Sequence, residues 1–294
     1  MFLTLLNIVL PVVGLTAVGF TMGRRQKTAP EMGFINRANV MVFCPSLVFS
    51  ALMAHPVSVV EGWPLLIAGT LVVVLPGLVL YGLRPAGISR PAFLLAGMFR
   101  NTGNVGIPLM VLAYGNQLLG DIVILFVLSN LLHFSLGLFL LSRGRDSWGW
   151  LGNPNVWAAV LGVACAPYAH RIPDFVLTTL EMLGQITIPL MLFTLGVRLS
   201  QGRITQIGTA LRINGLYLVA GAVCLPVIIW LLPLTPEWKR LVILCGMLPP
   251  AVLNYLLTEH YKMDAAAVAN VVLFGNVMSV VTIPVVVWFT LAWV

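Results

Sequence analysis

Apolar residues dominate the chain in ten runs, and short polar segments separate these runs. A helix that crosses the hydrocarbon core of a bilayer needs about 20 apolar residues. Runs of roughly that length predict ten transmembrane helices, at residues 2–22, 33–53, 64–83, 91–114, 119–142, 154–171, 175–198, 209–232, 239–260 and 266–293. The connections are too short to hold a soluble domain. The pattern therefore predicts an all-α polytopic membrane protein.

The composition supports this class and excludes others. Of the 294 residues, 60% are hydrophobic and only 9% are charged, which is too apolar for a soluble domain. The net charge of +7 does not indicate a nucleic-acid partner, because the basic residues lie in short segments between apolar runs. The four cysteines lie inside apolar runs without CxxC spacing, so we expect core residues and no metal site. The expected surroundings are a lipid bilayer.

The basic residues fall mainly on one side of the predicted membrane. The odd-numbered connections hold Arg24, Arg25, Lys27, Arg37, Arg84, Arg90, Arg143, Arg145, Arg198, Arg203, Arg212 and Lys262. The other side holds only Arg171, Lys239 and Arg240. Because cytoplasmic connections are enriched in Lys and Arg, both termini are predicted to face the outer, periplasmic side of the cytoplasmic membrane. Arg100 belongs to neither set, since it lies inside the fourth run.

The two halves of the chain carry the same landmarks in the same order. The matched positions are Pro11 and Pro154, Pro45 and Pro189, Pro76 and Pro226, Gly97 and Gly246, and Asn130 and Asn276. They predict two five-helix repeats, at 1–145 and 150–294. An odd number of spans per repeat inverts the second copy, which is the plan of many secondary transporters. In such proteins, broken helices at matching positions indicate the substrate site, and here those positions are spans four and nine.

Span four is interrupted by the sequence RNTGNVGIPL at residues 100–109. Its polar residues and glycines are predicted to unwind near the bilayer centre, and Pro108 then suits the first turn of a new half-helix. Free N–H groups at that helix start would favour an anion. The predicted substrate-binding residues here are Arg100, Asn101, Thr102, Gly103, Asn104 and Pro108. In the alternative interpretation, Arg100 only bonds carbonyls of the broken helix or lies nearer the cytoplasmic surface.

Span nine carries the matching interruption. Pro249 and Pro250 end one half-helix, and Asn254 follows about one turn into the next. A simple kink is the alternative. Further candidates for lining the site or contacting a coupling ion are Asn130, His133, Gln185, Thr187 and Asn276, although such residues more often bond neighbouring helices. No cofactor is expected, and the sequence does not choose between H⁺ and Na⁺ as a coupling ion.

Three segments resemble the auxin efflux carrier family of bacteria and plants, within the bile acid/sodium symporter-like group. They are NTGNVGIPL at 101–109, INRANVMVFCPSLVFSAL at 35–52, and MLPPAVLNYLLTEHYKMDAAAVANVVLFGNVMSVVTIPV at 247–285. The resemblance implies a scaffold of spans 1, 2, 6 and 7, and a transport domain of spans 3–5 and 8–10. The transport domain would move in an elevator-type mechanism, with spans four and nine crossing. It also implies organic-anion substrates and places Asn101, Pro108, Pro250 and Asn254 beside the crossing.

The resemblance has departures. Asn104 stands where an apolar or aromatic residue is commoner in the family, which argues against an aromatic, auxin-like substrate. The long cytoplasmic loop of plant members is absent, because the connection after span five has only about a dozen residues.

The sequence therefore predicts a secondary transporter for a small mono- or dicarboxylate, with Arg100 neutralising its charge. On this hypothesis Arg100→Ala abolishes transport and leaves folding intact. A sensor or channel on the same fold is the alternative. An intramembrane enzyme is disfavoured, because no HExxH, Ser/His/Asp set or paired midplane carboxylates occur. A homodimer is left open.

Overall fold

The computed structural model describes residues 2–25, 32–58, 60–83, 85, 87–202 and 205–294, and the regular elements within them are helices. The first seven α-helices are α1 Phe2–Arg25, α2 Gly33–Ala38, α3 Cys44–Ala54, α4 Trp63–Tyr81, α5 Arg90–Met98, α6 Ile107–Tyr114 and α7 Leu119–Leu132. The next four are α8 Leu138–Leu141, α9 Pro154–Cys165, α10 Asp174–Gln185 and α11 Thr187–Gln201. The last four are α12 Ile207–Leu231, α13 Pro236–Met247, α14 Leu253–His260 and α15 Ala265–Trp293.

Seven helical segments in the described part of the chain are long and apolar enough to cross a bilayer. They are Leu3–Arg25, Gly33–Ala54, Trp63–Tyr81, Asn116–Leu141, Asp174–Gln201, Ile207–Leu231 and Ala265–Trp293, which match predicted spans 1, 2, 3, 5, 7, 8 and 10. The all-helical, polytopic class is thus confirmed. The plan of ten spans in two inverted repeats stays a prediction.

The other three predicted spans consist of shorter pieces. Spans four and nine are each interrupted, between α5 and α6 and between α13 and α14. In span six, α9 ends at Cys165 and a 3₁₀ segment covers Ala166–Arg171. Pro167 is the second residue of that segment. Because proline lacks an N–H and clashes with the preceding turn, the α-helix cannot continue regularly through it.

Three helices contain a π-helical turn of five residues. The turns are Asn39–Phe43 between α2 and α3, Thr102–Gly106 before α6, and His133–Gly137 between α7 and α8. A π turn widens the helix and occurs frequently at functional sites. All three turns contribute residues to the cavity described below.

The helices pack as two groups. In the first group, α1 runs along α11, and α3 packs against α9 and α10. In the second, α4 packs on α5, α7 and α12, and α15 packs on α12, α13 and α14. The backbones of α1 and α11 approach closely where Gly19 faces the carbonyl of Phe193 and Gly196 faces the carbonyl of Thr16.

Polar contacts join helix ends outside the apolar core. The Tyr261 hydroxyl donates to Asp146 Oδ2 at 2.7 Å, and the Ser89 N–H donates to Asp264 Oδ2 at 2.8 Å. Partial burial and the neighbouring Asp146 carboxylate raise the pKa of Tyr261 to about 12, so the phenol keeps its proton and remains a donor. These bonds connect the end of α14 to the segment after α8, and the start of α15 to the start of α5.

Candidate functional site

The two helix interruptions that the sequence matched lie against each other. Residues 99–101 and 249–251 run antiparallel, with a single β-bridge between Arg100 and Pro250. The Asn101 N–H donates to the Pro249 carbonyl at 2.8 Å, and the Ala251 N–H donates to the Phe99 carbonyl at 3.0 Å. Unwound backbone inside a bilayer needs such partners, because no water is available to satisfy its polar groups. Each interruption thus supplies partners for the other.

Side-chain amides complete this crossing. Asn101 Nδ2 donates to Asn276 Oδ1 at 2.9 Å, and Asn276 Nδ2 donates to the Pro250 carbonyl at 3.1 Å. Asn254 Nδ2 donates to the Phe99 carbonyl at 2.9 Å. Three of the predicted asparagines therefore fasten the crossing, and all three are buried.

The backbone of Arg100 is part of the crossing, and its guanidinium is directed at backbone carbonyls. Nη2 donates to the Tyr217 carbonyl at 2.8 Å, and Nη1 is 3.4 Å from the Leu248 carbonyl. The side chain is 3% exposed, and its Nε has no protein partner in the described structure. The alternative interpretation expected bonds to carbonyls of a broken helix; Leu248 belongs to broken span nine, whereas Tyr217 lies on α12. The positive charge nevertheless lies beside the crossing, where it favours an anion nearby.

A cavity of about 430 Å³ lies beside the crossing. Its walls come from both helix groups, and no Asp or Glu lines it within the described chain. The lining brings together seven of the predicted residues, of which six are Arg100, Asn101, Thr102, Gly103, Asn104 and, from α7, Asn130. His133 lines it as well. Residues 102–104 line this space at the start of the turn after Asn101. The Thr102 N–H donates to the Arg100 carbonyl at 2.8 Å, whereas the N–H groups of Gly103 and Asn104 are those of a first helical turn, which have no intrahelical partner.

Unpaired acceptors occur in and beside the same space. The His133 ring stacks on Phe99 at a centroid distance of 4.1 Å, and its Nε2 has no partner among the described residues. The Oδ1 atoms of Asn39 and Asn155 are likewise without a described donor, whereas Asn254, which is fully buried, lies within hydrogen-bonding reach of His133. The cavity thus presents positive charge and N–H groups together with acceptors for a ligand's own N–H or O–H groups.

Other predicted residues lie away from this cavity. Pro108 is buried in the first turn of α6, and Thr187 is fully buried at the start of α11. Gln185 is exposed, and its Nε2 is 3.4 Å from Glu181 Oε1. Asn276 lines two neighbouring cavities. These four residues are not brought together with the lining set, although Asn276 contacts it through Asn101.

Several lining residues were not predicted from the sequence. Asn39, Ser129, Asn153, Asn155 and Arg198 all line the cavity. Asn39 lies within the segment 35–52 that carries the family resemblance, and Arg198 was counted as a topology signal. The asparagines at 153 and 155 flank Pro154, which served as the start of span six and as a landmark of the repeat.

Seven bilayer-length apolar helices define a polytopic membrane protein. A cavity with arginine and amide groups in its lining lies where two broken helices meet, which is the position of the substrate site in many secondary transporters. A family model described as "Membrane transport protein" matches residues 145–287. The family resemblance of the sequence, the multi-pass membrane class and the transport class are thereby confirmed, while the cytoplasmic membrane and the orientation of the termini stay predictions.

Two groups of relatives accompany this match. The "Putative malonate transporter" of Rhizobium meliloti (strain 1021) is 24% identical over 94% of this chain and 93% of its own. Two rice proteins (Oryza sativa subsp. japonica), "Probable auxin efflux carrier component 5b" and "5c", are 29% and 28% identical over 43% of this chain. The aligned region spans only 36% of the length of each rice protein.

Proposed function

We propose that this protein is a secondary active transporter that carries a small mono- or dicarboxylate across the cytoplasmic membrane. The observation that supports this most is the crossing of two broken helices beside a cavity that has cationic and amide lining and no described carboxylate. Such a site attracts an anion through positive charge and oriented N–H groups. The relative named as a malonate transporter, aligned along nearly the whole chain, supports the same substrate class.

The substrate would lie in the 430 Å³ cavity, against the turn that begins at Thr102. Asn104 and Asn130 line the space and would orient the carboxylate through their amide donors. Arg100 would act through its charge rather than by direct bidentate contact, because its N–H groups are directed at carbonyls. The polar Asn104 suits a small aliphatic acid better than an aromatic one.

The transport movement would be of the elevator type. The group containing α1, α3, α9, α10 and α11 would form the scaffold, and the crossing helices would move against it with the substrate. The cavity reaches Asn153 and Arg198, beside connections that the charge pattern places in the cytoplasm. The described conformation would therefore face inward, with both termini on the outer side.

The test is uptake into proteoliposomes that contain the purified protein, with radiolabelled malonate as the first probe. We expect saturable uptake and counterflow driven by unlabelled malonate inside. Asn104→Leu should weaken apparent affinity roughly tenfold, the value of one hydrogen bond to a charged group. Asn116→Leu makes the same exchange at an exposed position outside the cavity and should leave uptake unchanged.

Two results would overturn the proposal. One is the absence of saturable uptake for malonate, succinate and simple monocarboxylates. The other is conductance without counterflow, which would indicate a channel.

A further inference from the structure

Arg198 is a second cation at the cavity, and it lies on the opposite helix group from the crossing. It occupies the last turn of α11, where it is partly buried. Besides the main cavity, it lines a neighbouring cavity of about 360 Å³ that also contacts Tyr255 and Asn270. Arg198 therefore stands where the two spaces adjoin, between α11 and the start of α14.

The two arginines of the cavity have different surroundings. Arg100 is 3% exposed and gives its N–H groups to the carbonyls of Tyr217 and Leu248. The Arg198 side chain makes no hydrogen bond or carboxylate contact within the described residues, and it lines both cavities. A guanidinium with free N–H groups can bind a carboxylate through two parallel hydrogen bonds. Arg198 is thus the arginine placed for direct contact.

A monocarboxylate could bind at the crossing alone, through N–H groups of the turn that begins at Thr102 and the charge of Arg100. The additional cation across the cavity has no described counter-charge on the protein. It would be compensated by a second carboxylate on the same ligand.

We infer that Arg198 is the residue that determines substrate charge: it binds the second carboxylate of a dicarboxylate whose first carboxylate lies at the crossing. The inference rests on the proposed function and narrows it to dianions. A ligand held in this way bridges the two helix groups. Arg198 would contact the ligand in the conformation described here, and this contact would break when the two helix groups move relative to each other.

The test compares a dianion with a monoanion of nearly the same shape. In proteoliposomes, unlabelled malonate and monomethyl malonate compete against labelled malonate. We expect the wild-type protein to prefer malonate. Arg198→Gln should weaken malonate competition roughly tenfold while changing monomethyl malonate less than about twofold, since only the dianion loses a charged partner. Arg198→Lys should restore part of the preference.

Arg212→Gln serves as the matched control, because Arg212 is an exposed arginine on α12 outside both cavities. An unchanged malonate preference in Arg198→Gln, or an equal loss for both competitors, would overturn the role of Arg198. Failure of the wild-type protein to transport any carboxylate would instead overturn the proposed function.

Discussion

At the scale of single residues, Arg100 is a buried charge whose described hydrogen-bond partners are backbone carbonyls and not carboxylates. Its two carbonyl partners come from Tyr217 on α12 and from Leu248, which follows the end of α13. In Arg100→Ala these carbonyls lose a charged donor, which costs about 1–3 kcal/mol for a buried group. We expect lost transport together with a lower thermal unfolding midpoint in detergent. This differs from the sequence-based expectation of intact folding.

Arg100→Lys separates charge from geometry. Lysine keeps the positive charge but lacks the planar fork that reaches two carbonyls. If Arg100→Lys has a lower thermal unfolding midpoint yet retains weak transport, the charge contributes to function and the planar guanidinium to stability. Unchanged stability in Arg100→Ala would mean that the two carbonyl bonds contribute little.

The residue scale also shows what the sequence could reveal of the site. The polar residues at 100–104 indicated one half of the site, because polar and charged side chains inside a bilayer cost free energy. Their partners could not be read in the same way. Asn101 bonds Asn276, and Asn254 bonds the Phe99 carbonyl. These partners are far apart in the sequence and meet only in the tertiary fold.

At the scale of helices, glycine permits the close contact of α1 with α11. A Cβ atom added at Gly19 would collide with the Phe193 carbonyl oxygen, whereas one at Gly14 meets nothing within 4 Å. Gly19→Ala should therefore lower stability by about 1–3 kcal/mol through overpacking. Gly14→Ala on the same helix should be neutral or slightly stabilising, because alanine favours helices. Thermal unfolding in detergent distinguishes the two, and equal midpoints would refute the close contact.

Helix prediction succeeded where apolar length alone decides the outcome. Seven of the predicted spans are continuous apolar helices, and the interruptions of spans four and nine lie at the proline- and glycine-containing segments. The three π turns gave no signal, because one extra residue per turn barely changes an apolar pattern. Arg198 was assigned to a connection because span boundaries are uncertain by a few residues.

At the scale of the whole molecule, the lining of the cavity indicates from which side of the membrane the cavity is accessible. The lining includes Gly149, Gly152 and Asn153, which precede α9, and Leu256 on α14. The charge pattern places these connections in the cytoplasm. Glu237, exposed at the start of α13, belongs to the opposite set of connections. The lining residues and the charge pattern together therefore predict that the cavity is accessible from the cytoplasm and not from the outer side.

Single cysteines test this in a background with Cys44, Cys165, Cys224 and Cys245 replaced by alanine. Leu256→Cys should react with a membrane-impermeant maleimide in inside-out vesicles and be protected in intact cells, because its side chain lines the inward-facing cavity. Glu237→Cys should react in intact cells. Added dicarboxylate should slow labelling at position 256 and leave position 237 unaffected, since only the first lies beside the proposed ligand. Labelling of Leu256→Cys from outside would contradict the inward-facing assignment, and labelling of both variants from one side would contradict the predicted topology.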